Sequence, residues 1–284
     1  MISYTQALVL GLLQGISELF PISSLGHSII LPGLLGWHLD QDANYFLIFL
    51  VATHFATALI LFLFYQRDWL RIISGVLRSL REREINEADA KLGWLLVVST
   101  VPAGIAGLLF EERLKVLFIS PLYVAVFLAM NGVMLLGGEL LRQKAKIGGD
   151  IHDADKRIAV ELSWNQAIKV GLMQIIALVP GFSRTGATIA GGLLVGLSHE
   201  DALRYSFLLA TPIIGAAALL KLPELFESGG WQAVDVAVLG AIAAAIAAYF
   251  SVKFLTKYFK TNTLTPFALY CLGVAVLSLI DLVR

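Results

Sequence analysis

Charge is what this chain has least of. Of its 284 residues, 15% are Asp, Glu, Lys or Arg, and 21 basic residues balance 21 acidic ones. A soluble domain carries roughly 25% charged residues, so the composition disfavours that class. A net charge of zero also removes the basic surplus that favours nucleic-acid binding, and we expect no nucleic-acid partner.

Cysteine is also rare, and the N-terminal region has no basic residue. Cys271 is the only cysteine, which excludes an internal disulfide. No Lys or Arg precedes Arg67, so the chain lacks the basic region with which a cleavable signal peptide begins. We therefore expect the first apolar segment to stay in the mature protein.

Long apolar runs are present instead. Hydrophobic residues make up 58% of the sequence, and the mean hydropathy is +0.80. About 20 apolar residues are enough to cross a bilayer as a helix. The sequence predicts an all-α polytopic membrane protein, one integral membrane domain over 1–284, with about six transmembrane helices. Their runs are 46–64, 93–110, 116–138, 205–220, 233–252 and 264–283.

Basic residues are concentrated in a few of the intervening segments. Six Lys or Arg lie in 66–91, five lie in 142–165, and three lysines follow the fifth run. Cytoplasmic loops of membrane proteins carry the excess of Lys and Arg, so we expect these segments to face the cytoplasm. Within the first of them, the charged stretch 81–91 is interpreted as a solvated loop.

Two further apolar stretches, 5–37 and 166–197, are interrupted by Pro, Gly and polar residues. The alternation of the six spans requires each stretch to begin and end on one side of the membrane. The first would enter from outside and the second from inside. Broken helices at membrane depth are tolerated only where protein or a water-filled cavity satisfies the backbone. The sequence therefore predicts two re-entrant helical hairpins.

The two hairpins are diverged copies of one another. A shift of 160 residues aligns 6–27 with 166–187, and an Ala-Thr pair follows each copy. Convergence of two apolar segments is the alternative, but the identities include polar and glycine positions. We predict an inverted-topology repeat, about 1–140 and about 160–284, with its site where the broken helices meet. The identities fall at Gln6, Ala7, Gly11, Leu12, Gln14, Ile16, Ser23 and Gly26.

The polar differences between the copies indicate chemistry. One hairpin supplies a carboxylate, a hydroxyl and an imidazole, whereas the other supplies a guanidinium. Ionisable groups inside a membrane are costly to bury and are functional candidates by default. In the alignment, Glu18, Ser24 and His27 of the first copy stand opposite Leu178, Arg184 and Ala187 of the second.

Arg184 lies in the stretch PGFSRTGAT, where Pro180 and Gly181 break a helix and the next one begins. A helix N-terminus beside a guanidinium is a ready phosphate site. Neutralisation of Glu18 is the alternative role for Arg184.

Ser24 and His27 lie three residues apart and share a face if a helix begins between them. A hydroxyl within reach of an imidazole is the minimal activated nucleophile. Glu18 would orient His27, act as a general base or help to hold a cation. His54, in the second run, is left open between a site neighbour and a packing residue.

Two motifs carry a family resemblance. QGISELFPISSLGH (14–27) and PGFSRTGAT (180–188) resemble the two signatures of the bacterial undecaprenyl-diphosphate phosphatases, the BacA family of bacitracin-resistance proteins. The resemblance covers essentially the whole chain. It implies a membrane phosphatase that recycles the lipid carrier of peptidoglycan synthesis at the outer side of the bacterial inner membrane. It also implies a divalent cation, Mg²⁺ or Ca²⁺, as cofactor.

The resemblance assigns roles by position. Catalytic roles fall on Glu18, Ser24, His27 and Arg184, with Glu18 a weak candidate cation ligand. The nucleophile stays open among Ser24, His27 and water. Gln14 stands where many members have glutamate, which leaves it a supporting role. Phosphate-binding roles fall on Arg184 together with Ser23, Ser183, Thr185 and Gly186.

A transporter or flippase of lipid phosphate or small anions is the competing function, because inverted repeats with broken helices are also transporter architecture. Transport requires binding residues but no nucleophile. A purely structural subunit leaves the polar differences unexplained. The expected partners are undecaprenyl diphosphate and membrane lipid, with a homodimer left open.

Overall fold

The structure, a computed structural model, describes residues 2–37, 39, 44–117, 120–142, 153–228 and 231–283. Within these residues the chain is all α-helical, as predicted, and has no strand. Its helices are α1 Tyr4–Ser17, α2 Ser24–Leu34, α3 Asn44–Phe64, α4 Gln66–Glu82, α5 Ala88–Leu117, α6 Pro121–Leu140, α7 Ala154–Glu161, α8 Trp164–Ile176, α9 Arg184–Leu194, α10 His199–Ser228, α11 Trp231–Tyr258 and α12 Thr265–Val283.

Five helices in the described part of the chain are long and apolar enough to cross a membrane: α3, α5, α6, α11 and α12. The chain is therefore a multi-pass membrane protein. The remaining predicted span, 205–220, lies inside α10, which does not meet the same criterion over its described residues.

The predicted start of the third span, at residue 116, is wrong. Residues 116 and 117 belong to the end of α5, and α6 begins at Pro121. Ser120 stands at the N-cap position and Pro121 follows it at the first helical position. A proline is tolerated there because its missing N–H would have no intrahelical acceptor in any case.

The basic segments contain helices that apolar runs alone did not indicate. Helix α4 fills most of 66–91, and its buried residues Ile72, Gly75 and Ser79 recur at helical spacing on one face. The predicted loop 81–91 is therefore wrong at both ends, because α4 extends to Glu82 and α5 begins at Ala88. Residues 83–87, between them, are exposed and non-helical as predicted.

Both predicted hairpins are pairs of helices joined by a short non-helical turn. Helices α1 and α2 form hairpin 1, and helices α8 and α9 form hairpin 2. The second helix of each has 11 residues. At 1.5 Å per residue such a helix extends over about 16 Å, roughly half of a hydrocarbon core. The residues of both turns, 18–23 and 177–183, are buried or half-buried, so the turns lie inside the helical bundle.

Helix packing follows the repeat. Helix α1 packs against α11, its counterpart α8 packs against α5, and α6 packs against α12. A Cβ added at Gly11 would lie 2.3 Å from the Gly240 carbonyl oxygen, and one added at Gly171 would lie 2.5 Å from that of Ser99. Because residues 11 and 171 correspond under the shift of 160, the same close contact occurs twice. This agrees with a pseudo-twofold relation, although the repeat boundaries stay a prediction.

An ionic network joins three helices at one end of the bundle. Buried Asp155 of α7 accepts hydrogen bonds from Arg71 of α4 at 3.1 Å and from Arg204 of α10 at 2.6 and 3.0 Å. Asp68 pairs with the same two arginines, at 2.8 Å each. The four residues Asp68, Arg71, Asp155 and Arg204 are called the ionic network below. Arg71 and Asp155 belong to segments that the basic residues predict to be cytoplasmic.

Candidate active site

The turns of the two hairpins meet and are joined by hydrogen bonds. Thr185 Oγ1 donates to the Glu18 carbonyl oxygen at 3.0 Å. Asn131 of α6, which is fully buried, contacts both turns. Its Nδ2 donates to the Pro21 carbonyl oxygen at 3.1 Å, and its Oδ1 accepts from the Ser183 backbone N–H at 2.9 Å. The two broken helices are therefore fixed against one another.

The second helix of each hairpin begins at a serine cap. Ser23 Oγ accepts from the Gly26 N–H at 3.2 Å, and Ser183 Oγ accepts from the Gly186 N–H at 3.1 Å. Ser23 has φ +72°, a conformation that costs a non-glycine residue of order 1–3 kcal/mol. The other first-turn N–H groups of α2 and α9 have no intrahelical acceptor, and the helix dipoles favour an anion beside them.

The Glu18 carboxylate lies at the centre of the site. Its Oε1 accepts a hydrogen bond from Arg184 Nη2 at 2.6 Å. Its Oε2 accepts from Ser24 Oγ at 2.5 Å and from Gln14 Nε2 at 3.1 Å. The structure thus brings together Glu18, Ser24, Arg184 and Gln14, and Glu18 is only 8% exposed.

Arg184 pairs with Glu18 and still has a hydrogen-bond donor free. Its Nη1 is buried and has no hydrogen-bond partner among the described residues. A buried donor without a partner costs about 1–3 kcal/mol, so such an atom marks a place for an acceptor. Both roles considered for Arg184, neutralising Glu18 and binding an anion, are compatible with this geometry.

His27 is not paired with Ser24. Its Nδ1 lies 2.7 Å from the Ser23 carbonyl oxygen, and its Nε2 lies 3.0 Å from the Tyr270 hydroxyl. The His27 and Tyr270 rings are stacked, with centroids 5.6 Å apart. A carbonyl only accepts, so Nδ1 carries a hydrogen. The predicted hydroxyl–imidazole pair is therefore not formed, because Ser24 donates to Glu18.

Three residues outside the motifs complete the surroundings. Asn131 and Tyr270 come from α6 and α12, and no pattern in the sequence distinguished them. His54 of α3, which the sequence left open, has its Nε2 at 3.3 Å from Glu18 Oε2. A signal for His54 was present: aligning the two Ala-Thr pairs places it opposite Pro212, so this position differs between the copies as the motif residues do.

Comparison with known proteins identifies the family. The family model for bacitracin resistance protein BacA matches residues 7–277. The chain belongs to the BacA family.

Relatives in this family match over nearly their whole length. The chain is 45% identical to a protein of Mycolicibacterium paratuberculosis that is named undecaprenyl-diphosphatase, over 98% of this chain and 97% of that protein. It is 42% identical to undecaprenyl-diphosphatase 2 of Frankia alni, over 95% of each chain. It is 43% identical to undecaprenyl-diphosphatase 2 of Chromobacterium violaceum, over 97% of each.

The residues around Glu18 do not fit a divalent cation held by this BacA-family chain alone. Both carboxylate oxygens already accept hydrogen bonds, one of them from a guanidinium. The described residues contain no group of three or more His, Cys, Asp or Glu side chains that could hold a metal ion. Hard cations prefer several oxygen ligands, and Gln14 supplies no second carboxylate. The cation stays a prediction from the family resemblance, and the mechanism proposed for this chain does not use it.

Proposed function

We propose that this BacA-family chain is an integral membrane phosphatase that hydrolyses undecaprenyl diphosphate to undecaprenyl phosphate and inorganic phosphate. One observation carries the proposal. Glu18 and Ser24 of hairpin 1 meet Arg184 of hairpin 2 at a single buried point, and Arg184 Nη1 has no partner among the described residues. The full-length relatives named undecaprenyl-diphosphatase support the same substrate.

Arg184 is the proposed phosphate ligand. Its Nη2 is held by Glu18, which orients the guanidinium and directs Nη1 to a phosphoryl oxygen. First-turn N–H groups of α9, which begins at Arg184, add donors for the same anion. Fixed donors of this kind stabilise the charge that is distributed over the equatorial oxygens during phosphoryl transfer.

Ser24 is the proposed nucleophile. Its hydroxyl donates to Glu18 Oε2 at 2.5 Å, so Glu18 is placed to take the proton as Oγ attacks the terminal phosphorus. The anhydride P–O bond then breaks, and undecaprenyl phosphate leaves with the bridging oxygen. In a second step water attacks the phosphoserine phosphorus, which releases inorganic phosphate and restores the Ser24 hydroxyl.

His27 and water are the other candidate nucleophiles. Because His27 Nδ1 carries a hydrogen, its Nε2 has a lone pair when the ring is neutral, and this atom faces Tyr270. A phosphoserine survives acid whereas a phosphohistidine does not. Acid treatment of enzyme trapped with labelled substrate therefore separates Ser24 from His27, and absence of a covalent species points to water.

The proposal includes a location. The ionic network would face the cytoplasm of a bacterial inner membrane, since segments 66–91 and 142–165 carry the basic excess. The site would then open to the outer side, with the prenyl chain lying in lipid between the spans. This placement suits recycling of the lipid carrier and bacitracin resistance.

The proposal is tested with purified protein in detergent. A prenyl diphosphate is supplied with added Mg²⁺ or Ca²⁺, and released phosphate is measured. Arg184→Ala should reduce kcat/KM by at least about 100-fold, because a charge-stabilising donor is lost. Arg142→Ala is the matched control, since Arg142 is half-exposed and pairs with Glu139, away from the hairpin turns.

Two results would contradict the proposal. Folded wild-type protein that releases no phosphate would exclude the phosphatase activity. Equal activity of Arg184→Ala and Arg142→Ala would exclude the site. Movement of a lipid phosphate across a vesicle membrane without phosphate release would instead support the alternative function, a transporter or flippase. The names of the relatives do not favour that function.

A further inference from the structure

His54 lies in membrane-spanning helix α3, outside both motifs, and its ring has two defined contacts. Nδ1 lies 2.7 Å from the Leu50 carbonyl oxygen, one turn earlier in the helix. Nε2 lies 3.3 Å from Glu18 Oε2. A backbone carbonyl only accepts hydrogen bonds, so Nδ1 carries a hydrogen and Nε2 is the atom that acts on Glu18.

The contact between Nε2 and Oε2 contains one proton. With Nδ1 protonated, a neutral imidazole would present only a lone pair at Nε2, and an ionised carboxylate presents only lone pairs as well. Two lone pairs facing one another would repel. A proton must therefore lie between the two atoms. Because Glu18 acts as a carboxylate toward Arg184 and Ser24, the proton belongs to His54 Nε2, and the contact is an ion pair in which Nε2 donates to Oε2.

This hydrogen bond approaches Glu18 from an independent direction. Gln14 and Ser24 belong to the same hairpin as Glu18, and Arg184 belongs to the other hairpin. His54 is anchored in α3 through Leu50 and holds the oxygen that accepts from Ser24. Without His54, the carboxylate is free to turn both oxygens toward Arg184, whose Nη1 has no partner among the described residues. Such a bidentate pair would draw Oε2 away from Ser24.

We propose that His54 is a positioning residue for phosphoryl transfer, which keeps Glu18 Oε2 directed at the Ser24 hydroxyl. This inference rests on the proposed phosphatase function. His54 does not touch the reacting atoms itself but acts through Glu18. The repeat supports the assignment, because the second copy has Pro212 at the corresponding position and Leu178 in place of Glu18.

The test compares the variants His54→Gln and His54→Met, measured on the full chain in detergent. Their new side chains have nearly equal length. Gln keeps an N–H that can donate to Glu18, whereas Met has none. We expect His54→Met to lower kcat by about 10- to 100-fold, the loss of one hydrogen bond to a charged group, with KM little changed. His54→Gln should recover most of this loss.

A second histidine–glutamate pair provides the matched control. His199 Nε2 lies 2.8 Å from Glu139 Oε2, away from the hairpin turns, and its side chain is 12% exposed against 20% for His54. We expect His199→Gln and His199→Met to keep the wild-type kcat. Folding of every variant is checked by its thermal unfolding midpoint and gel-filtration profile. If His54→Met does not fold, His54→Asn and His54→Leu give the same comparison.

Three outcomes would overturn the inference. Wild-type kcat in His54→Met would show that the hydrogen bond has no role. Equal losses in folded His54→Met and His54→Gln would show that donation to Glu18 is not the cause. A raised KM with unchanged kcat would place His54 on the substrate instead. Failure of the wild-type protein to release phosphate contradicts the proposed function itself and is seen before any variant is made.

Discussion

At the scale of single residues, Glu18 is the group on which the site depends. It accepts hydrogen bonds from Arg184, Ser24 and Gln14, which lie 166, 6 and 4 residues away in the chain. Gln14 donates its amide N–H to this carboxylate, a role that a glutamate at the same position could not fill while ionised. Because residue 14 departs from the family pattern, Glu18 has a hydrogen-bond donor beside it where many family members have a second carboxylate.

Gln14→Glu should create dependence on a divalent cation. It places two carboxylates one helical turn apart in a buried site, and they repel unless a cation lies between them. We expect Ca²⁺ or Mg²⁺ alone to raise the thermal unfolding midpoint of this variant but not that of the wild type.

Gln174→Glu is the control for this experiment. Gln174 is the repeat counterpart of Gln14 and equally buried, but Leu178 stands where a second carboxylate would be needed. Any destabilisation of this variant should be insensitive to the cation. A cation-dependent midpoint in wild-type protein, abolished by Glu18→Gln, would contradict our reading of the site.

At the scale of helices, close packing positions the hairpins. Helix α1 lies on α11 through Gly11 and Gly15, and α8 lies on α5 through Gly171. Short backbone distances of this kind strengthen van der Waals contact, on which helix association in a membrane depends. The turn that carries Glu18 is placed by these contacts as much as by its own sequence.

Gly11→Ala and Gly171→Ala should each lower the free energy of unfolding by about 1–3 kcal/mol, because the added methyl group overlaps a backbone carbonyl. Gly104→Ala is the control. Apart from its chain neighbours and the nearby backbone of its own helix, no atom lies within 4 Å of a Cβ built at Gly104, so this change should be neutral or stabilise the helix by up to about 1 kcal/mol. Thermal unfolding in one detergent measures all three, and equal midpoints would contradict the packing argument.

At the scale of the whole molecule, the ionic network ties the two predicted repeats together. Asp68 and Arg71 belong to the first repeat, whereas Asp155 and Arg204 belong to the second or to the segment before it. The buried position of Asp155 makes the network sensitive to the loss of one charge, since removing one partner of a buried ion pair leaves the other uncompensated.

Asp155→Asn should therefore destabilise the protein by about 3–5 kcal/mol. Asp153→Asn, at a residue 30% exposed that also contacts Arg71, should cost about 0–1 kcal/mol, because asparagine keeps the N-cap of α7. Thermal unfolding midpoints compare the two variants. A smaller effect at Asp155 than at Asp153 would contradict the role of the network.

The charge of Asp153 also makes the stability of this end of the molecule depend on pH. Burial raises the pKa of Asp153, but the hydrogen bond and the charge of Arg71, together with the backbone N–H groups of Lys156 and Asp155, lower it by more in sum, so the pKa lies below the ordinary aspartate value. Its contribution to stability is complete above that ordinary value and is lost as the pH falls through the lowered pKa. Asp153→Asn should remove this part of the acid sensitivity.

Much of the architecture was determined by the sequence alone. Apolar runs of bilayer length have one stable form, the helix, because the backbone must satisfy its own hydrogen bonds in lipid. The breaks at Pro21 and at Pro180–Gly181, together with the shift of 160 residues, predicted both hairpins and their meeting point. The motif residues Glu18, Ser24 and Arg184 were predicted in the same way.

Only the tertiary structure decided which side chains pair. Ser24 donates to Glu18 and not to His27, and His27 contacts Tyr270, 243 residues further along the chain. His54 and Asn131 reach the site from spans that carry no motif. Hydropathy patterns and repeats indicate which face of a helix is buried. They do not indicate the rotation and the register at which two helices pack. A hydrogen bond of about 3 Å depends on both.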